Sequence, residues 1–198
     1  MEVPRFRERD PDVHAARIRR VIVDRKIPER WRSEAAADRW LLLIRLSNHP
    51  ELPDVLSRPI GELAHRPLTS AGGDDSLPVD MWSVELLQAL LYWRRQAAVP
   101  QPYPRLTLVL SCWDELDITD ATPAALARER LALLDGYCSA TWPSGAFDVV
   151  GLSAQGHRLH DDKPSDDYLD HGPQQMGWFV TSDGRQDDDL TALVADER

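Results

Sequence analysis

Positive charge is what this 198-residue chain has too little of: 23 Lys and Arg stand against 33 Asp and Glu, a formal net charge of -10. A surface that grips nucleic acid needs a basic patch or stripe, and an anionic membrane attracts clustered cations. The charge balance argues against both partners. Cysteine is scarce too. Cys112 and Cys138 are the only two, too few for a disulfide framework, and a reducing compartment, the cytoplasm, is the expected location. Long apolar runs are missing: stretches such as Trp40 to Ile44 fall far short of the ~20 residues that a spanning helix needs. The opening MEVPRFRERDPDVHAARIRR has no apolar stretch of the kind a secretion signal carries.

What is present is ordinary for a globular domain: 42% hydrophobic and 28% charged residues, and enough length for one sizeable core. Val13 to Lys26 and Pro28 to Asp38 read as helical. Trp40 to Leu46 (WLLLIRL) is short and apolar on both faces, which is how a strand buried on both sides of a parallel sheet reads. Residues 47–79 hold Pro50, Pro53, Pro59, Pro67 and Pro78 and read as a long loop. From Val79 to Ala97, Trp82, Leu86, Ala89, Leu90 and Trp93 recur at helical spacing, and Pro100 ends the pattern. Arg105 to Ser111 (RLTLVLS) is a second buried strand. Thr122-Pro123 opens a helix with threonine as cap and proline in the first turn, its inner stripe being Ala127, Leu131, Leu134 and Cys138. Phe147 to Leu152 is a third strand, and Gly177 to Thr181 with the turn Ser182-Asp183-Gly184 reads as a small hairpin.

Strands alternating with helices imply right-handed crossovers and a parallel sheet. The expected fold class is therefore α/β: a parallel sheet of about three strands with flanking helices, plus a small C-terminal hairpin. One domain is expected over 1–198, comprising a charged, helical N-terminal segment (1–30), an α/β core (31–156) and an acidic tail (157–198).

Ligands of open parallel sheets bind at the carboxyl ends of the strands. There the second strand runs into Ser111-Cys112-Trp113-Asp114-Glu115 and the third into Ser153-Ala154-Gln155-Gly156. One helix connects these two strands, so their ends lie side by side. A carboxylate at one end accepts two hydrogen bonds from guanine N1–H and N2–H₂. A backbone N–H in a small turn at the other meets guanine O6, where adenine presents a donor. The bland alternatives are that Asp114 caps a turn and that Ser153-Ala154 is an ordinary strand exit.

LVLSCWDEL resembles the guanine-recognition motif of P-loop GTPases (Asn or Thr, then Lys, any residue, Asp), and GLSAQG resembles their Ser-Ala-Lys turn. Together with TPAALARERLALL and the tail DDYLDHGPQQMGWFV, these segments are similar to the bacterial double-GTPase family, of the translation-factor-related (TRAFAC) class. That resemblance implies a nucleotide switch in a bacterial conflict or signalling system, with GTP or GDP as its ligand. It assigns guanine recognition to Ser111, Cys112, Trp113, Asp114, Ser153, Ala154 and Gln155. Asp114 would hold the guanine edge, Ser111 would brace the loop, and Trp113 would offer the base a flat apolar surface. Cys112 stands where the family has lysine.

The phosphate side has no counterpart. The sequence contains no G-x-x-x-x-G-K followed by Ser or Thr, and no D-x-x-G before the first strand. The only double glycine, Gly72-Gly73, precedes Asp74-Asp75, whose charges repel phosphate. The expectation is a partial GTPase domain, the C-terminal half of the fold, with no catalytic residues of its own and no magnesium bound by this chain alone. It would need a protein supplying the phosphate-binding half or an edge strand beside Trp40–Leu46, or a second copy of itself, unless residues 20–23 fold back as a substitute strand. The segment with His157, His160, Asp161, Asp162, Asp166, Asp167, Asp170 and His171 invites a metal reading, but its spacing matches no closed site, and no metal is assigned. The rival reading is a protein-interaction module with a degenerate nucleotide site.

Overall fold

The computed structural model describes residues 33–48, 78–97, 99–116, 121–156 and 176–194. They form an α/β fold around a five-stranded sheet in the order β1 (Arg39–Arg45), β2 (Arg105–Ser111), β3 (Phe147–Ser153), β4 (Trp178–Val180) and β5 (Gln186–Asp187). The first three strands are parallel, with Arg45 beside Ser111 and Ser111 beside Leu152 at their carboxyl ends. The last two are antiparallel. The hairpin read from sequence is thus present, and it extends the sheet rather than standing apart from it. Its turn closes through Thr181 N–H donating to Arg185 O at 2.8 Å, with Gly184 at φ 94°.

Helix α1 (Val79–Gln96) links β1 to β2; α2 (Pro123–Arg130) and α3 (Ala132–Thr141) link β2 to β3. Both crossovers step the same way along the sheet, so right-handed connections lay their helices on the same face. There Val84, Leu87 and Leu91 of α1, Leu126 and Ala127 of α2, and Leu134 and Cys138 of α3 pack with Trp40, Ile44, Leu106, Leu108, Leu110 and Val149. The Thr122 hydroxyl caps α2, accepting from Ala125 N–H at 3.2 Å, with Pro123 in the first turn. The sequence pattern reads as one continuous helix through Leu134 and Cys138. The backbone breaks at Leu131 (φ -129°, ψ 44°), where the side chain is 1% exposed. Neither glycine nor proline marks the break; it lets the two halves address the core at different angles.

The other face carries Val109, Val150 and Phe179, covered among the described elements by Leu190 and Leu193 of the short 3-10 helix Leu190–Leu193. Arg39 ties that helix down by donating to Leu193 O at 3.0 Å. This cover stops short of the edge strand. Leu41 and Leu43 are 39% and 58% exposed, so the expectation that β1 is buried on both faces is corrected: only its Trp40 and Ile44 side is buried. Among the described residues β1 pairs with β2 alone. The helical expectation for Val13–Lys26, most of the 47–79 loop and the alternative strand at 20–23 lie outside the described residues.

Arg94, near the end of α1, is fully buried. Its guanidinium donates to Gln101 O at 2.9 Å, to Ala35 O at 3.2 Å and Ala37 O at 2.6 Å, and to the Asp38 carboxylate at 3.2 Å. One side chain thereby joins the end of α1 to the approaches of both β1 and β2.

Candidate functional site

The carboxyl ends of β2 and β3 open side by side, as the parallel register requires. Beyond Ser111, Cys112 takes a left-handed conformation (φ 55°, ψ 46°), and Trp113–Glu115 form one 3-10 turn. A non-glycine residue in that region is uncommon. It turns the chain sharply off the strand, sending Trp113 inward and leaving Asp114 and Glu115 at the rim.

The two neighbouring carboxylates then part ways. Glu115 is gripped by Arg45 of β1, whose Nη2 and Nε donate to Oε2 at 2.7 and 3.1 Å, and by the Ser47 hydroxyl at 2.9 Å. Asp114 makes no hydrogen bond to any described residue, and its side chain is half-buried. The Arg45–Glu115 pair holds the turn in place, and among the described residues no donor bonds the Asp114 carboxylate. Arg45 is the site residue that the sequence reading passed over as a function; its signal was a lone charge at the carboxyl end of an apolar strand.

Trp113 is 7% exposed and belongs to the main core. Its ring lies directly over Gly151 of β3, so close that a Cβ there would come within 2.5 Å of Cε3. The ring thus packs against the strand, and little of it is open to solvent. Cys112 is partly exposed. Burial pushes its thiol up; the Arg45 guanidinium opposes this, while Glu115 and Asp114 reinforce it and Ser111 counters weakly by a hydrogen bond. A neutral thiol thus sits where the resembling family places a cationic lysine, and the local positive charge comes from Arg45 instead. Cys138, fully buried in α3, is pushed up to about 12 by burial and then by Asp135, which leaves it an apolar packing group.

On β3, Ser153 is sealed at 0% exposure, and its hydroxyl has no hydrogen-bond partner. Ala154 and Gln155 are exposed. Of this turn, Ala154 and Gln155 are the residues open to solvent, whereas the Ser153 hydroxyl is not. Among the described residues no group of three or more His, Cys, Asp or Glu is placed to hold a metal; the stretch His157–His171 lies outside them. No described helix is long and apolar enough to cross a membrane.

The adjacent carboxyl ends of β2 and β3 are the place where open parallel α/β sheets take their ligands. The chain belongs to the Double-GTPase 1 family, whose profile matches residues 6–197. Its function is accordingly GTPase-like, and GTP or GDP is the nucleotide that membership implies. Neither curated proteins nor solved structures give a match to the chain.

Proposed function

We propose that this chain supplies the guanine-recognition side of a nucleotide switch in a bacterial conflict or signalling system. The observation that carries the reading is the asymmetry at the end of β2. Glu115 is tied to Arg45 and Ser47, whereas the half-buried Asp114 carboxylate has no hydrogen bond to a described residue, in the turn after β2, and the exposed Ala154-Gln155 turn follows the neighbouring strand. That pair of features suits guanine, which offers two donors to a carboxylate and one acceptor to a backbone N–H. Adenine offers the reverse at the second position. GDP is expected to bind more tightly than ADP. Asp114→Ala is expected to remove the difference, at a cost of roughly 1.5–3 kcal/mol for losing a charged acceptor. Titration of both nucleotides into wild type and variant checks this, and equal wild-type affinities would sink the assignment.

The phosphate-binding part of the site is proposed to come from outside these residues. Backbone amides and a lysine of a glycine-rich loop normally cradle the phosphates, and no such motif stands in the sequence. The β1 edge, with Leu41 and Leu43 exposed beside it, is where a further strand would add, whether from another protein or a second copy. A monomer of this chain is therefore expected to hydrolyse no GTP above background. Turnover of about 1 per second or more, by a species that light scattering shows to be monomeric, would overturn this part of the proposal. The same exposed edge also suits the second reading, an interaction module whose nucleotide site is vestigial; guanine preference separates the two.

A further inference from the structure

The turn that follows β3 is held from its far side by the strand that returns to it. Ser153 pairs directly with Trp178 across the antiparallel β3–β4 ladder, and directly opposite side chains share a face. The indole therefore lies beside the sealed Ser153, packed against the main core. Its Nε1 donates to Gly156 O at 3.1 Å, closing a link across the turn. Gly156 takes φ 76°, and a Cβ on it would run into Met176 O. Gly177 is buried, and a Cβ on it would come within 2.6 Å of Leu190 Cδ1 and 3.2 Å of Ala154 O. Two glycines thus let the backbones of 154–156 and 176–178 approach closely, and one tryptophan N–H fastens them.

The geometry points to Trp178 as a positioning residue that fixes the path of the exposed Ala154-Gln155 turn. The C-terminal hairpin then acts as a built-in support of the guanine site. This inference rests on the guanine reading above. It differs from that reading in placing part of the specificity on a segment that does not touch the base. Without the indole N–H, the ring still packs but the turn loses its fastening, and the backbone donor no longer holds a fixed angle to O6. Adenine and guanine are then distinguished less well, because a mobile donor turns away from the mismatched group.

The test is Trp178→Phe in the full chain, which keeps a ring and removes the N–H. Hydrogen exchange of peptides covering residues 153–156 is expected to speed up roughly three- to tenfold, as the loss of one hydrogen bond implies, while peptides covering 106–110 stay unchanged. The ratio of ADP to GDP dissociation constants is expected to fall by a similar factor. Unchanged exchange at 153–156, or an unchanged ratio despite faster exchange, would overturn the inference. Trp178→Ala serves as the comparison: if packing alone matters, only that variant changes either reading, which also counts against it. Wild-type chain that binds GDP and ADP equally would refute the guanine reading itself, and the exchange experiment would then decide on the clamp alone.

Discussion

Replacing Arg94 by methionine is expected to destabilise the fold by about 2–4 kcal/mol, since a buried carbonyl left without its donor costs about 1–3 kcal/mol. The apolar stem survives the substitution, so packing is largely kept. What goes is the donor to Gln101, Ala35 and Ala37 carbonyls and to the Asp38 carboxylate. The Asp38 pair contributes little, because its side chain is 89% exposed and solvent screens such pairs. The carbonyls matter more, since at least one of these bonds is wholly buried. Arg94→Lys is expected to recover less than half of the loss, because a single ammonium cannot reach the directions that a planar guanidinium fork covers. Urea unfolding reads both, as a lowered midpoint at unchanged slope. A loss below ~1 kcal/mol for the methionine variant would show that the three-way tie is not structural.

Gly151→Ala is expected to destabilise as well, by about 1–3 kcal/mol, and the sign is the informative part. In an open strand, alanine is more favourable than glycine by about 0.5–1 kcal/mol. Here the added methyl would sit within 2.5 Å of the Trp113 ring at Cε3 and 2.9 Å at Cγ. A rigid indole buried in the main core cannot step aside as a flexible side chain would. The ring must move, and Asp114 follows it in the chain. Unfolding midpoint and tryptophan emission are the two readouts. A variant as stable as wild type, or more so, would mean that Trp113 does not pack over Gly151.

Much of the architecture was legible along the chain because it rests on short-range rules. RLTLVLS and FDVVGL read as strands, and the strands span Arg105–Ser111 and Phe147–Ser153. Val79 to Ala97 read as a helix, and α1 spans Val79–Gln96. Thr122-Pro123 announced a capped helix start, and the cap bond is there. The break at Leu131 was not legible, since no breaker residue stands there and the burial of Leu131 in the core is a tertiary matter. Nor was the one-sided burial of β1. A run of apolar residues says that a strand prefers cover on both faces, not whether another element reaches it.

The candidate site divides in the same way. Chain order placed Asp114 and Ala154 at neighbouring strand ends, because two parallel strands joined by a crossover must present their carboxyl ends together. Position in sequence could not tell Asp114 from Glu115, two acids in a row. That distinction depends on Arg45, 70 residues away, which the parallel register brings to the same rim. Nor could position in sequence show that Trp113 and Ser153 are buried: the indole lies over Gly151, and the serine is sealed beside Trp178. Local periodicity, caps and turn residues act between neighbours a few positions apart, so the sequence by itself determined the elements, their order and the sheet end where ligands gather. Which side chains are buried, which carboxylate is paired with Arg45 and what braces the turn depend on contacts between distant segments, and only the tertiary structure decided those.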